Sequence, residues 1–292
     1  MKDNKQIRAL LHLLDDPDIE IFDSVSKQIM QYGKEIIPNL EAFWENTTDT
    51  DVQFRIENII HKVNFNTVFE GFENWFKAEK PALMVGSILL ARFRYPDLNE
   101  ETIRKTIKSI YQSCWLELNN YLTPLEQISI INSIFYSMYK FKGHDLEENK
   151  PNHFYINEVV DSRLGNNYSL GIVYQILCEM LDIPVYMIQL PKQTLLAYFD
   201  TIHDFLNLDK KPIKKIQFYI DPSSGLIYTQ NDVDAYLKKY QLVTDENTYL
   251  PLSNKDLICN TIDALCVVYE ELREEEKKDE LSQLIELRNR FD

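Results

Sequence analysis

Glycine is scarce in this chain, with seven in 292 residues, well below the roughly 7% of ordinary usage. That disfavours glycine-rich cofactor loops and turn-dense all-β folds, and no GxGxxG or P-loop pattern occurs. Cysteine is sparse too. Cys114, Cys178, Cys259 and Cys266 are scattered without a CxxC pair, so they read as reduced core residues of a cytoplasmic protein. Cations are in the minority: 31 Lys and Arg face 46 Asp and Glu, a net charge of −15. Binding a phosphate backbone needs clustered cations, so nucleic acid is not expected as a partner, and an anionic membrane surface is repelled. No run approaches the ~20 apolar residues that span a bilayer. The opening MKDNKQIRALLHLLDDPD is charged from the start and has no signal-peptide core. His153 and His203 fall in loops with no ligand partner at metal spacing, so neither a metal nor another cofactor is expected.

What the chain does have is apolar residues, 45% of the total, enough for a sizeable core. Their spacing is mostly helical. From Ile7 to Val63 the pattern predicts helix pairs broken at DDPD, Gly33 and the Thr-Asp steps near residue 50. A short helix, DDPD, a longer helix and IIPNL together resemble a HEAT-like repeat. Three further helices are predicted between Phe65 and Leu118. Another starts at Thr123, with Pro124 in its first turn and Glu126 at capping-box spacing; Asn99 is a second cap. A polar loop precedes Asn157. The stretch SLGIVYQILCEMLDIP then predicts a buried helix, followed by the strands VYMIQLP, TLLAYF and KIQFYIDP. The chain returns to helix at NDVDAYLKKYQL and ends in a hairpin resembling a tetratricopeptide pair. The expected modules are 1–64, 65–156, 157–230 and 231–292. The expected fold class is α+β, predominantly α: a helix-plus-antiparallel-sheet core flanked by helices at both ends.

The core carries a family resemblance. Gly165, Asn166, Ser169 and Leu170 open the helix; Asp182, Ile183 and Pro184 lead into the first strand. Pro191, Leu195, Leu196, then Ile220, Asp221 and Pro222 follow in order, with Asn157, Glu158 and Val159 upstream. This order and spacing resemble the SirB-type branch of the transglutaminase-like superfamily. Active members of that superfamily place a cysteine at the helix mouth, a histidine on the next strand and an aspartate after it. The positions implied here are Asn167, Gln193 and Asp221.

The substitutions bear on chemistry. A cysteine attacks as a thiolate, which a helix N-terminus and an imidazolium make accessible. Asparagine cannot form a thiolate, and glutamine cannot take and return a proton near neutral pH. Taken alone, Asn167 reads as a helix cap, Gln193 as a solvent-facing strand residue and Asp221 as the cap of a DPSSG turn. Cys178, flanked by Ile176, Leu177 and Met180, reads as core. The expectation is a catalytically inactive protein that binds a protein or peptide, a basic one given the charge. Asn166, Asn167, Ser169, Gln193 and Asp221 are the candidate cleft residues, and an extended peptide could add to the sheet edge. The alternative is an acyl-transfer or hydrolytic enzyme with a displaced nucleophile, Ser169 or a cysteine. A helical-repeat adaptor with a merely structural core is a third reading.

Overall fold

The computed structural model of the protein describes residues 4–16, 18–143, 150–200 and 212–291. His203, the acidic run from His144 and most of the insert between the second and third core strands lie outside the described residues. The chain divides into two units, Met1–Asn74 and Trp75–Asp292.

In the first unit, helices α1 (Asn4–His12), α2 (Ile19–Met30), α3 (Ile37–Asn46) and most of α4 (Thr50–Lys77) share one core. Leu14, Ile29, Ile36, Leu40 and Ile56 lie fully buried in it. Asp18, in extended backbone, accepts the Glu20 amide and so starts α2. The chain turns at Gly33, whose φ of +59° suits glycine. Arg55 donates to the carbonyls of Leu14 and Asp16 at 3.2 and 2.8 Å, fastening the DDPD break to α4.

The sequence reading splits α4 at Asn64, but the structure has one 28-residue helix. No Gly or Pro interrupts it there. The Asn-Phe-Asn step costs only tenths of a kcal/mol per residue in propensity, while Val63, Val68 and Phe72 continue the buried stripe.

The second unit holds α5 (Leu83–Arg94), α6 (Glu100–Glu117), α7 (Pro124–Asn132), α8 (Ile156–Ser162), α9 (Asn167–Met180), α10 (Gln230–Lys239), α11 (Asn254–Glu271) and α12 (Glu275–Arg288). The predicted start signals are present. Asn99 accepts the Glu101 amide at 3.0 Å, and Thr123 and Glu126 form a full capping box. Past Asn132 the helix widens into a π-helical turn, Ser133–Met138, which periodicity alone did not indicate.

Short strands β1 (Lys142–Gly143) and β2 (Leu164–Gly165) pair in parallel. The main sheet is antiparallel in the order β3 (Val185–Leu190), β4 (Gln193–Phe199), β5 (Ile216–Ile220), β6 (Ile227–Tyr228). This is the predominantly helical α+β architecture expected.

Register assigns the faces. Val185 pairs with Tyr198, Met187 with Leu196 and Gln189 with Thr194. This face meets α9, because a Cβ on Gly171 would come within 2.7 Å of the Met187 sulfur. Helix α9 is buried all round from Ser169 to Cys178. The opposite face, Ile188, Leu190, Leu195, Ala197, Phe199 and Tyr219, packs with Val233 and Leu237 of α10. Among the described residues no helix is long and apolar enough to cross a membrane.

The C-terminal hairpin is tied down by charge. Arg288 meets Asp256 at 2.7 Å, and Asp256 also accepts the Ser253 hydroxyl at the head of α11. Burial would raise the Asp256 pKa, but the Ser253 hydroxyl and Arg288 together hold it below its ordinary value. A depressed folded-state pKa stabilises above the unfolded pKa of ~3.9 and loses that contribution as pH falls through the folded value. Asp256→Asn should therefore cost about 1 kcal/mol at neutral pH. Paired thermal melts across pH should show the gap to wild type closing below about pH 4; a constant gap would mean the carboxylate contributes nothing.

Candidate functional site

The mouth of α9 is built by a reciprocal cap. Asn166, in extended backbone, accepts the Ser169 amide through Oδ1 at 2.9 Å. The Ser169 hydroxyl accepts the Asn166 amide at 3.0 Å and donates to the His153 carbonyl at 2.6 Å. Gly165 precedes them because a Cβ there would lie 2.6 Å from the Ser169 oxygen. The cap is thus Asn166, and Asn167 is the first helical residue, a correction of one position. Asn166→Ala should cost about 1 kcal/mol, whereas Asn167→Ala should cost a few tenths. Urea titrations of the two variants would separate them, and the reverse order would refute the assignment.

Three polar side chains meet on the α9 face of the sheet. The Tyr168 hydroxyl and the Thr194 hydroxyl both donate to Oε1 of Gln189, each at 3.0 Å. The Gln189 amide nitrogen donates to the carbonyls of Leu190 and Gln193 at 2.9 and 3.3 Å. The side-chain amide is saturated, leaving Gln189 little capacity to hold a ligand.

Gln193 is elsewhere. It pairs with Leu190 and shares the α10 face with Leu195. There it lines a hollow of about 370 Å³ with Tyr228, Asp232 and Tyr236. The expectation that it faces the helix mouth is corrected by register: Thr194, its neighbour, points that way, since alternate residues of a strand occupy opposite faces.

Asp221 does lie near the mouth, tied to it by one short strand. Ser223 accepts the Gly143 amide through its carbonyl at 2.8 Å, and Gly143 pairs with Gly165. Its carboxylate is spent locally. Oδ1 accepts the Ser223 amide and hydroxyl, both at 2.8 Å, and Oδ2 accepts the Ser224 hydroxyl at 2.9 Å. The structure thus draws the three elements to one end of the sheet without joining the Asn167, Gln193 and Asp221 side chains. Tyr168, Gln189 and Thr194 were missed by the sequence reading.

No thiol is poised for attack. Burial pushes Cys114 up to about 12 and Cys259 up to about 11. It also raises Cys178, which is fully buried, and the half-buried Cys266. A thiol at about 12 is roughly 1 part in 10⁵ thiolate at neutral pH. Among the described residues, no group of three or more His, Cys, Asp and Glu could hold a metal.

The arrangement of one buried helix against an antiparallel sheet, with its mouth at the end where β4 begins and β5 ends, has a counterpart among known families. Residues 101–263, more than half of the chain, match the transglutaminase-like superfamily. The chain belongs to that superfamily. Two curated proteins of Xylella fastidiosa, each named UPF0162 protein, from strains Temecula1 / ATCC 700964 and 9a5c, are each 25% identical to it over 142 residues. The alignment covers 46% of this chain and 50% of each relative. This transglutaminase-like chain thus spans about half the length of the curated relatives it matches. No solved structure matches it.

Proposed function

We propose that the protein is a catalytically inactive transglutaminase-like protein of the SirB-type branch, a cytoplasmic binding or scaffolding module for a basic protein or peptide. The carrying observation is the state of every candidate nucleophile. Asn167 stands at the helix mouth, and all four thiols are held protonated by burial. Ser169, the displaced nucleophile of the enzymatic reading, is buried, and its hydroxyl is engaged as both donor and acceptor in the cap. A hydroxyl so engaged gives its proton to a backbone carbonyl, which is not a base that could activate it. The lost positions are Asn167 and Gln193, and repeat-like helices flank the core; of the expected modules 1–64, 65–156, 157–230 and 231–292, the first boundary moves to the division after Asn74, because α4 runs through residues 64 and 65. The net charge of −15 supports a basic partner, as does the hollow floored by Trp44 and Ile60 and rimmed by Glu41, Glu45 and Glu57.

Strand addition at β3 is not part of this reading. The outward amide of Met187 donates to Gln175 Oε1 at 2.9 Å, and its carbonyl accepts the Leu252 amide at 2.8 Å. The middle of that edge is filled from within, so an added strand could not continue the ladder past β3.

The test is intact mass spectrometry of the full chain after exposure to fluorophosphonate and acyl-thioester probes. No adduct is expected; a covalent acyl group on Ser169 or Cys178 would restore the enzymatic reading. For the partner, immobilised chain should retain basic proteins at low salt and release them as salt rises. Nucleic acid as the dominant salt-sensitive ligand would contradict it.

A further inference from the structure

Helices α3 and α4 wall an open groove of about 530 Å³ in the amino-terminal unit, and its lining is acidic and aromatic. Glu41, Trp44 and Glu45 come from α3, at spacings of three and four residues that place them on one face. Glu57 and Ile60 come from α4, one turn apart. The Trp44 indole is half-buried, and its N–H donates to Glu57 Oε1 at 2.9 Å, from one wall to the other. That bond uses the polar edge of the indole and fixes the ring in the lining, leaving its π surface to a ligand. Gln53 closes the hairpin by donating to the Trp44 and Thr47 carbonyls at 3.4 and 3.1 Å.

The charge around the groove is one-sided. Between Lys34 and Arg55 the sequence holds five carboxylates, Glu35, Glu41, Glu45, Asp49 and Asp51, and no Lys, Arg or His. Asp49 caps α4, accepting the Asp51 and Val52 amides at 2.9 and 3.3 Å. Glu41 and Glu45 are exposed and have no hydrogen-bond or ion-pair partner among the described residues. No cation is among the described residues that line the groove. Arg55 is engaged by the Leu14 and Asp16 carbonyls and lies 4.9 Å over the Phe22 ring. His61, one turn past Glu57, is half-buried and outside the lining. Lys62 follows Ile60 by two residues, roughly 200° further round the helix, and so faces away. A run of acids alone is an ordinary solvated face; here a fixed indole stands among the carboxylates. Carboxylates attract any cation, but a π face favours the planar, weakly hydrated guanidinium over a strongly hydrated ammonium. Phe54, one turn before Glu57, is 63% exposed and adds apolar surface on the same side of α4.

We infer that this groove is the docking point for the basic partner protein, seating an arginine whose guanidinium lies on the Trp44 ring between the carboxylates of Glu41 and Glu45. The inference rests on the binding reading above and gives that reading an address and a recognised residue. Glu41 and Glu45 draw the cation in and accept its N–H groups, while its methylene stem packs on Ile60. Glu57 is a positioning residue, because it acts through the indole it holds. Like charges four residues apart on a helix repel. The empty groove therefore carries an electrostatic cost at Glu41 and Glu45 that a bound guanidinium removes.

The test is a magnetic-resonance titration of the full chain, read at the indole N–H groups, with the Trp44 signal identified by its loss in Trp44→Phe. The probe is a short synthetic peptide carrying a pair of arginines among alanines. The controls replace arginine with lysine, or with citrulline, which keeps the shape of arginine without its charge. A saturable shift of the Trp44 indole N–H is expected. The lysine peptide should bind a few-fold more weakly, and the citrulline peptide at least about ten-fold more weakly. Glu41→Gln combined with Glu45→Gln should weaken the arginine peptide at least about ten-fold. Unchanged signals from the other indoles would show that this variant is folded. Equal binding of the citrulline peptide, indifference to the double substitution, or no saturable shift at Trp44 would overturn the proposal. So would displacement of the peptide by calcium at constant ionic strength, which would make a divalent cation the occupant. Retention of basic proteins on the immobilised chain separates this site from the broader reading. If wild type and the double variant retain them equally, the groove falls and the binding reading stands. If wild type retains none, the binding reading falls and this site with it.

Discussion

Phe135→Ala should remove about 3–5 kcal/mol from the unfolding free energy, the range for truncating a buried phenylalanine. Phe135 is fully buried. Its ring stacks on Phe141 with centroids 4.2 Å apart and planes 11° from parallel, and meets Tyr174 edge-on at 5.4 Å. Its carbonyl accepts the Phe141 amide as the chain leaves the π turn. The ring therefore supports the π turn and the flank of α9 together. Its loss leaves a cavity that two fixed aromatics cannot easily fill. Guanidinium unfolding should show a lower midpoint with an unchanged slope, and Phe135→Leu should recover much of the loss. A loss below about 1 kcal/mol would mean that the surrounding rings collapse into the space.

Gln175→Leu should cost about 2–3 kcal/mol, although leucine is apolar, similar in size and placed in a buried helix. Gln175 is 1% exposed. Its oxygen accepts the Met187 amide, and its nitrogen donates to Glu179 at 3.0 Å and to Asn254 at 3.3 Å. Leucine would leave a buried amide unpaired, which costs about 1–3 kcal/mol alone. Gln175→Glu separates the two halves of the role. It keeps an acceptor for Met187 but sets a second carboxylate beside Glu179, whose pKa burial already raises. Two neighbouring acids resist sharing charge, so each has its pKa raised in the folded state. The resulting penalty is full above the folded-state values and disappears as pH falls and one acid protonates. Melts of Gln175→Glu should thus approach wild type toward pH 5, while those of Gln175→Leu should not. Parallel pH profiles would count against this division.

Much of the architecture could be read before folding because its signals are local. Thr123-Pro124-x-Glu126 and Asn99 mark helix starts through side chains that reach only two or three residues. The α9 cap was legible in principle as well. Asn166 and Ser169 stand at capping-box spacing, but two adjacent asparagines make a one-residue error easy. Strand β4 was harder. Every residue from Thr194 to Phe199 is buried, so no alternation of apolar and polar marks its phase. A slip of one residue then exchanges Gln193 for Thr194 at the helix-facing position. The π turn and the Gln175 bond to Met187 depend on contacts distant in sequence, which no local pattern records.

Because the outward groups of Met187 are both engaged by the chain itself, β3 is an outer strand only in topology. Amide exchange with deuterium reports that distinction. An open edge exchanges through small local fluctuations, whereas a paired, buried amide waits for larger opening. The Met187 amide should exchange among the slow interior amides of β4, and that of exposed Gln217 near the start of β5 far sooner. The slow-exchanging core would then extend beyond the last strand of the sheet and into the first turns of α11.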